Sequence, residues 1–253
     1  MKDDVNDKDV FDPKHVETVE AILAELVSSA TEALGSDLLS VVLFGSAAEG
    51  RLRPNSDVNV LILLKAFDPD RIDALREPLR LASSAARVEA MFLLEEELPV
   101  AADLFAVKFN DMTGRHRILH GVDPLARIRI DEKELRRRLR EVLLNLTIRL
   151  RERYALVSLR EEQLARIISG VAGPLRAAAV ALLRLQGKPA LAPREALEAI
   201  TAETGDASFI NAVALLPVAR QTQMLPAGQG CPALLALSRL AGHLRVALED
   251  DAR

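Results

Sequence analysis

Two short stretches hold the residues best suited to chemistry. The first is apolar, Val41-Val42-Leu43-Phe44, and turns at Gly45-Ser46. The second opens on Ser56-Asp57-Val58-Asn59 and continues as an apolar run. Residues two apart at the start of a strand project to the same side, so Asp57 and Asn59 form a pair of oxygen donors. Mg²⁺ prefers oxygen ligands and often bridges one or two protein carboxylates to substrate phosphates. Gly45 lets backbone approach a ligand closely, and free amides at the start of a helical turn attract phosphate oxygens. The Ser46 hydroxyl adds a donor, and Arg51 and Arg53 lie just downstream to neutralise negative charge. These are the parts of a triphosphate site with a divalent ion beside it. The plain structural alternative is a tight strand-to-helix turn with solvated arginines, and Asp57 as a cap on the strand start.

Elements able to position these residues follow from periodicity. Val16, Val19, Leu23, Leu26, Val27, Ala30 and Leu34 recur at steps of three and four, predicting a helix over 13–34 that stops at Gly35. Leu38–Phe44 reads as a buried strand. Val58–Leu64 reads as another, apolar enough to be covered on both faces. Asp68-Pro69 supplies an N-cap and a first-turn proline for a helix reaching Ala86. A third strand is expected at Val88–Leu94, then a short acidic turn or helix from Glu95 to Leu98. The stretch 103–124 reads ambiguously, and a small strand is expected at Ala126–Ile130.

After Asp131 the strand-like runs give way to helical patterns. Helices are expected at about 132–157, 161–186 with a bend near Gly170 to Pro174, 193–202, 207–221 and 232–249. The expected organisation is an α/β domain over 1–130 and an all-α helical domain over 131–253. The first nine or so residues carry charge and few apolar groups, which predicts disorder.

The Gly45-Ser46 turn, its spacer and the Ser56-Asp57-Val58-Asn59 start resemble the signature of nucleotidyltransferase-domain proteins of the DNA polymerase β superfamily. In that family the second motif position is an aspartate, where this chain has Asn59. Val88–Leu98, Asp103-Leu104-Phe105 and Arg117–Pro124 also resemble the family's later segments, and many bacterial members carry a helical C-terminal region. The resemblance implies a fold of α/β (α+β) class with a small mixed sheet, followed by a helical bundle. It implies Gly45, Ser46, Arg51 and Ser56 as nucleotide-binding residues, and Asp57 and Asn59 as metal ligands. Glu89 corresponds by order to the third acidic position, as a ligand or base, with a charged strand-edge residue as the alternative. The implied activity is transfer of a nucleoside monophosphate from a nucleoside triphosphate, with Mg²⁺, to a hydroxyl of a small molecule or protein. Asn59 also supports a second reading, a catalytically degenerate module that binds nucleotide or a protein partner.

Composition bounds the rest. A net charge of −4 argues against a protein that grips nucleic acid through phosphates, and 3% aromatic residues leave few stacking platforms. The arginine-rich stretch Arg136–Arg153 is interleaved with Glu141, Glu152 and leucines, which reads as a solvated helix face. One cysteine, Cys231, excludes an intramolecular disulfide. No uninterrupted apolar run reaches the ~20 residues of a membrane span. The acidic N-terminal sequence does not read as a secretory signal, and a cytoplasmic protein is expected. Leucine- and alanine-rich C-terminal helices raise the expectation of a homodimer. Arg115 and His120 share the spacing of HEPN-type ribonucleases, but they fall outside the helical half.

Overall fold

The computed structural model describes residues 13–50, 52 and 57–250. The N-terminal stretch expected to be disordered, and the site candidates Arg51, Arg53 and Ser56, lie outside the described residues. Two compact units divide the chain. One joins the residues up to Ala101 with Met112–Arg129, and the other joins Ala102–Asp111 with the chain from Ile130 onward.

In the first unit, α1 (Pro13–Leu34) buries Val19, Leu23, Leu26, Ala30 and Leu34 along one stripe, and Gly35 ends it at φ +53°. The chain then forms β1 (Leu38–Phe44), a 3-10 turn at Gly45–Ala47, and β2 (Val58–Leu64). Next come α2 (Pro69–Ala74), α3 (Arg76–Ala86) and β3 (Val88–Leu94). The helix expected to run unbroken from Pro69 to Ala86 is thus two helices. Leu75, fully buried, separates them and returns its amide to the Ile72 carbonyl. A short α4 (Leu98–Leu104) and α5 (Ala106–Gly114) lead into β4 (His116–Gly121).

The four strands form a mixed sheet in the order β3-β2-β1-β4. β1 is antiparallel to β2 and β4, while β2 and β3 are parallel, so the crossover between them carries α2 and α3. Val58, Val60, Ile62 and Leu64 of β2 point into one core with Val41 and Leu43 of β1 and the stripe of α1. Asn59, Leu61 and Leu63 therefore face the other side. The expected strand at Ala126–Ile130 does not form. Leu125 and Ile130 are buried, and the chain between them turns as the Ile128 amide donates to the Leu125 carbonyl.

The second unit is helical. It holds α6 (Glu132–Val157), α7 (Glu161–Leu185), α8 (Pro193–Glu203), α9 (Ala207–Thr222) and α10 (Gly230–Asp250). Asp131 caps α6 by accepting from the Glu134 amide, a typical use of a short acidic side chain on an orphan N–H. Leu135, Leu139, Leu143 and Leu150 bury the inner stripe of α6. On its other side Arg137 and Arg138 are engaged locally. Arg137 and Arg138 both bind Glu134, whose carboxyl is held below the usual carboxylate range, first by the Arg137 hydrogen bond. Arg136 and Arg140 donate to the Leu248 carbonyl near the end of α10, where a cation complements exposed carbonyls.

Two helices, Glu161–Leu185 and Gly230–Leu248, are long and apolar enough on average to cross a membrane, although neither holds an uninterrupted apolar run of ~20 residues. Arginines such as Arg176 and Arg239 break the runs while the mean stays apolar. Half of each window is buried inside the structure, as in the core helices of a folded bundle.

Candidate active site

One row of paired residues crosses the sheet where β1 ends. Phe44 of β1 pairs with Asn59 of β2 and with His116 of β4, and Asn59 pairs in turn with Glu89 of β3. Partners on adjacent strands project to the same face, with strands about 4.8 Å apart. Asn59 and Glu89 therefore stand as neighbours on the face opposite the α1 core. Asp57 precedes β2 by one residue and falls on Asn59's side by alternation. Register thus brings Asp57, Asn59 and Glu89 to one corner of the sheet. Glu89 is exposed and Asn59 half-buried.

Asp57 is not solitary. Its Oδ1 accepts from Arg87 Nε at 2.9 Å and from Arg87 Nη2 at 2.7 Å. Arg87 was not among the residues singled out from sequence. It closes α3 in the left-handed conformation, at φ 52°, and its amide donates to the Ser83 carbonyl. Its own carbonyl accepts from the Val58 amide at 3.1 Å. Backbone on both sides of the guanidinium is therefore fixed relative to the start of β2.

The Gly45 turn is built with equal economy. Gly45 takes φ +79°, a region that L side chains rarely adopt. Its amide donates to the Arg115 carbonyl at 2.9 Å, which ties the turn to the start of β4. That amide is committed within the fold, whereas the Ser46 amide has no backbone partner among the described residues. Arg115 also reaches Glu49 through Nη1 at 3.1 Å, with both side chains mostly covered. Beside it, His116 Nε2 lies 3.2 Å from Asp123 Oδ2. Arg115 and His116 thus border the turn, although they lie about seventy residues away in sequence and no spacing signals it. His120, by contrast, sits within β4 and pairs with Val41.

Residues 24–148 match the family model of the nucleotidyltransferase domain. These residues form a nucleotidyltransferase domain. The matched span begins within α1, contains the whole sheet and ends within α6. The chain also shares 40% identity over 52 residues with a candidate protein adenylyltransferase of Methanocaldococcus jannaschii. That alignment takes in 21% of this chain and 35% of the relative, so the chain spans about a third of the length of the curated relative it matches. Among solved structures, the spectinomycin adenyltransferase AAD(9) of Enterococcus faecalis, determined with ATP and spectinomycin, aligns with a TM-score of 0.64. It covers 89% of this chain and 98% of that one at 14% identity, a likeness that shows the fold alone. The small mixed sheet followed by a helical bundle is therefore the architecture expected from the motif.

The donor set decides what ion the nucleotidyltransferase domain can take. Among the described residues, no three His, Cys, Asp or Glu side chains gather into a ready-made ion site. Two carboxylates and an amide share one face of the sheet at its corner instead. All three present hard oxygens, which suits Mg²⁺. The set is too small for a closed protein cage, but it suits one ion completed by phosphate and water oxygens.

Proposed function

We infer that this nucleotidyltransferase-domain protein transfers a nucleoside monophosphate, with an adenylyl group the first to test, from a nucleoside triphosphate to a hydroxyl of a small molecule or protein. The observation that supports the reading is the register that puts Asp57, Asn59 and Glu89 on one face of the sheet, next to the strand that ends in the Gly45-Ser46 turn. The relatives named above are consistent with adenylyl as the group: one is a candidate protein adenylyltransferase, and the other was solved with ATP.

In this reading the Ser46 amide and hydroxyl, with the Gly45 turn, hold the β- and γ-phosphates, and Arg51 and Ser56 complete the nucleotide contacts. Asp57, assisted by Asn59 and Glu89, would hold Mg²⁺, which when bound neutralises phosphate charge and favours departure of pyrophosphate. Glu89 accepts the proton of the acceptor hydroxyl as its oxygen attacks the α-phosphorus, and the bond to pyrophosphate breaks. A cytoplasmic setting agrees with a reaction that draws on nucleoside triphosphates. The homodimer expected from the helical half is to be tested by light scattering on the same preparation.

A second reading is favoured by one residue. Asn59 lacks the charge that a second ligand would supply, which suits a module that binds nucleotide weakly without transferring it.

Calorimetry with ATP and GTP, each with and without Mg²⁺, tests the leading reading on the native chain and on Asp57→Ala. Mg²⁺-dependent binding that disappears in Asp57→Ala is the expected result. Failure of both nucleotides to bind under any condition would rule out a working nucleotide site.

A further inference from the structure

Arg87 combines three features that seldom meet in one surface arginine. Its backbone is left-handed without being glycine, at φ 52°. Such strain in a non-glycine residue persists only where surrounding structure over-determines it, and it clusters at functional positions. Here the determinants are the α3 C-cap on one side and the Arg87 carbonyl to Val58 amide bond on the other. Finally, both Nε and Nη2 converge on one oxygen, Asp57 Oδ1, from thirty residues away in sequence. The guanidinium thus sits against the carboxylate best placed to bind a divalent ion.

We propose that Arg87 is a resident counter-ion that keeps divalent cations off Asp57 until a triphosphate offers the guanidinium a better partner. The inference rests on reading Asp57 as an ion ligand. It concerns the regulation of that ligand, not the reaction itself.

The geometry supports an exchangeable contact. The side chains of Arg87 and Asp57 are 56% and 42% exposed, so the pair is a solvent-screened one that contributes little to stability. A triphosphate can accept two parallel N–H bonds from a guanidinium, a stronger arrangement than two donors crowding one carboxylate oxygen. With Arg87 turned to phosphate, Asp57 is left as an anion beside Asn59 and Glu89. Without nucleotide, an approaching Mg²⁺ meets a fixed positive charge on its chief ligand. Only two carboxylates offset it, because the third donor, Asn59, is neutral. Ion and nucleotide are therefore bound together, and free ion alone is held poorly.

Manganese titration of the full chain without nucleotide, followed by electron paramagnetic resonance of the free ion, tests this. Arg87→Asn is the informative variant, because asparagine tolerates the left-handed backbone and carries no charge. Arg87→Gly is the companion, and thermal melts establish that both are folded. The proposal expects each variant to bind Mn²⁺ roughly tenfold more tightly than the native chain, by removal of a nearby like charge. Adding Asp57→Asn to Arg87→Asn should then abolish the gain. Equal or weaker Mn²⁺ binding in the folded variants overturns the proposal, as does a gain that survives loss of Asp57. Failure of the native chain to bind MgATP would instead count against the transferase reading, because the manganese comparison involves no nucleotide.

Discussion

Asn59 sits in register with Glu89 and two residues from Asp57, so any charge placed on it acts on both. Asn59→Asp would put like charges on adjacent strands, which is destabilising in the absence of a counter-ion. The melting temperature should therefore fall without ion and recover with Mg²⁺ by more than in the native chain, as followed by scanning fluorimetry. A response to Mg²⁺ no larger than native would mean that position 59 lies outside the ion's reach. If the variant also gains transfer activity that the native chain lacks, the second reading of the function is the better one. At this scale the sequence discloses side-chain chemistry but not pairing. Asp57 and Asn59 are visible because they are two apart. The grip of Arg87 on Asp57, and the hold of the Arg115 carbonyl on Gly45, depend on strand order and on a left-handed backbone, neither of which leaves a local pattern.

Among the elements, β4 shows how closely backbone alone can constrain a position. Gly121 ends the strand at φ +77°, and a Cβ there would collide with the Leu39 carbonyl oxygen. Next to it, the Ser40 hydroxyl donates to the His120 carbonyl at 3.0 Å. Gly121→Ala combines a forbidden contact with a strained φ and should cost at least about 2 kcal/mol of stability. A urea melt checks this, and a loss under about 0.5 kcal/mol, the range of an ordinary surface substitution, would contradict it. Helices and strands with a clean period are legible in the sequence itself: α1, β1, β2, β3 and α6 all fall where their apolar spacing puts them. The break at Leu75 is not, because leucine continues a helical stripe and only its burial shows where the chain turns. Nor are α4 and α5 legible, since two short helices split by a turn yield too few repeats for either period to stand out.

For the molecule as a whole, the chain order and the spatial order differ. Ala102–Asp111 belongs with the helical unit, yet it lies in sequence between two pieces of the α/β unit. Phe109 within it is fully buried, and Asn110 Oδ1 accepts from Arg184 Nη1 at 2.6 Å, with Arg184 Nη2 donating to the Ile130 carbonyl. A ribosome therefore delivers this segment well before the helices that will enclose it. Asn110 and Arg184 are 74 residues apart. At about 5–20 residues per second, Phe109 stays without its eventual neighbours for roughly 4–15 s of synthesis. Nascent chains stalled just after β4 has left the exit tunnel should be cut by protease within 102–111, and chains released at full length should be protected there. Equal protection in both would mean that this segment finds shelter before its own unit exists. The order of birth thus leaves Phe109 bare in midstream, a demand on chaperones that ends once the finished protein buries it.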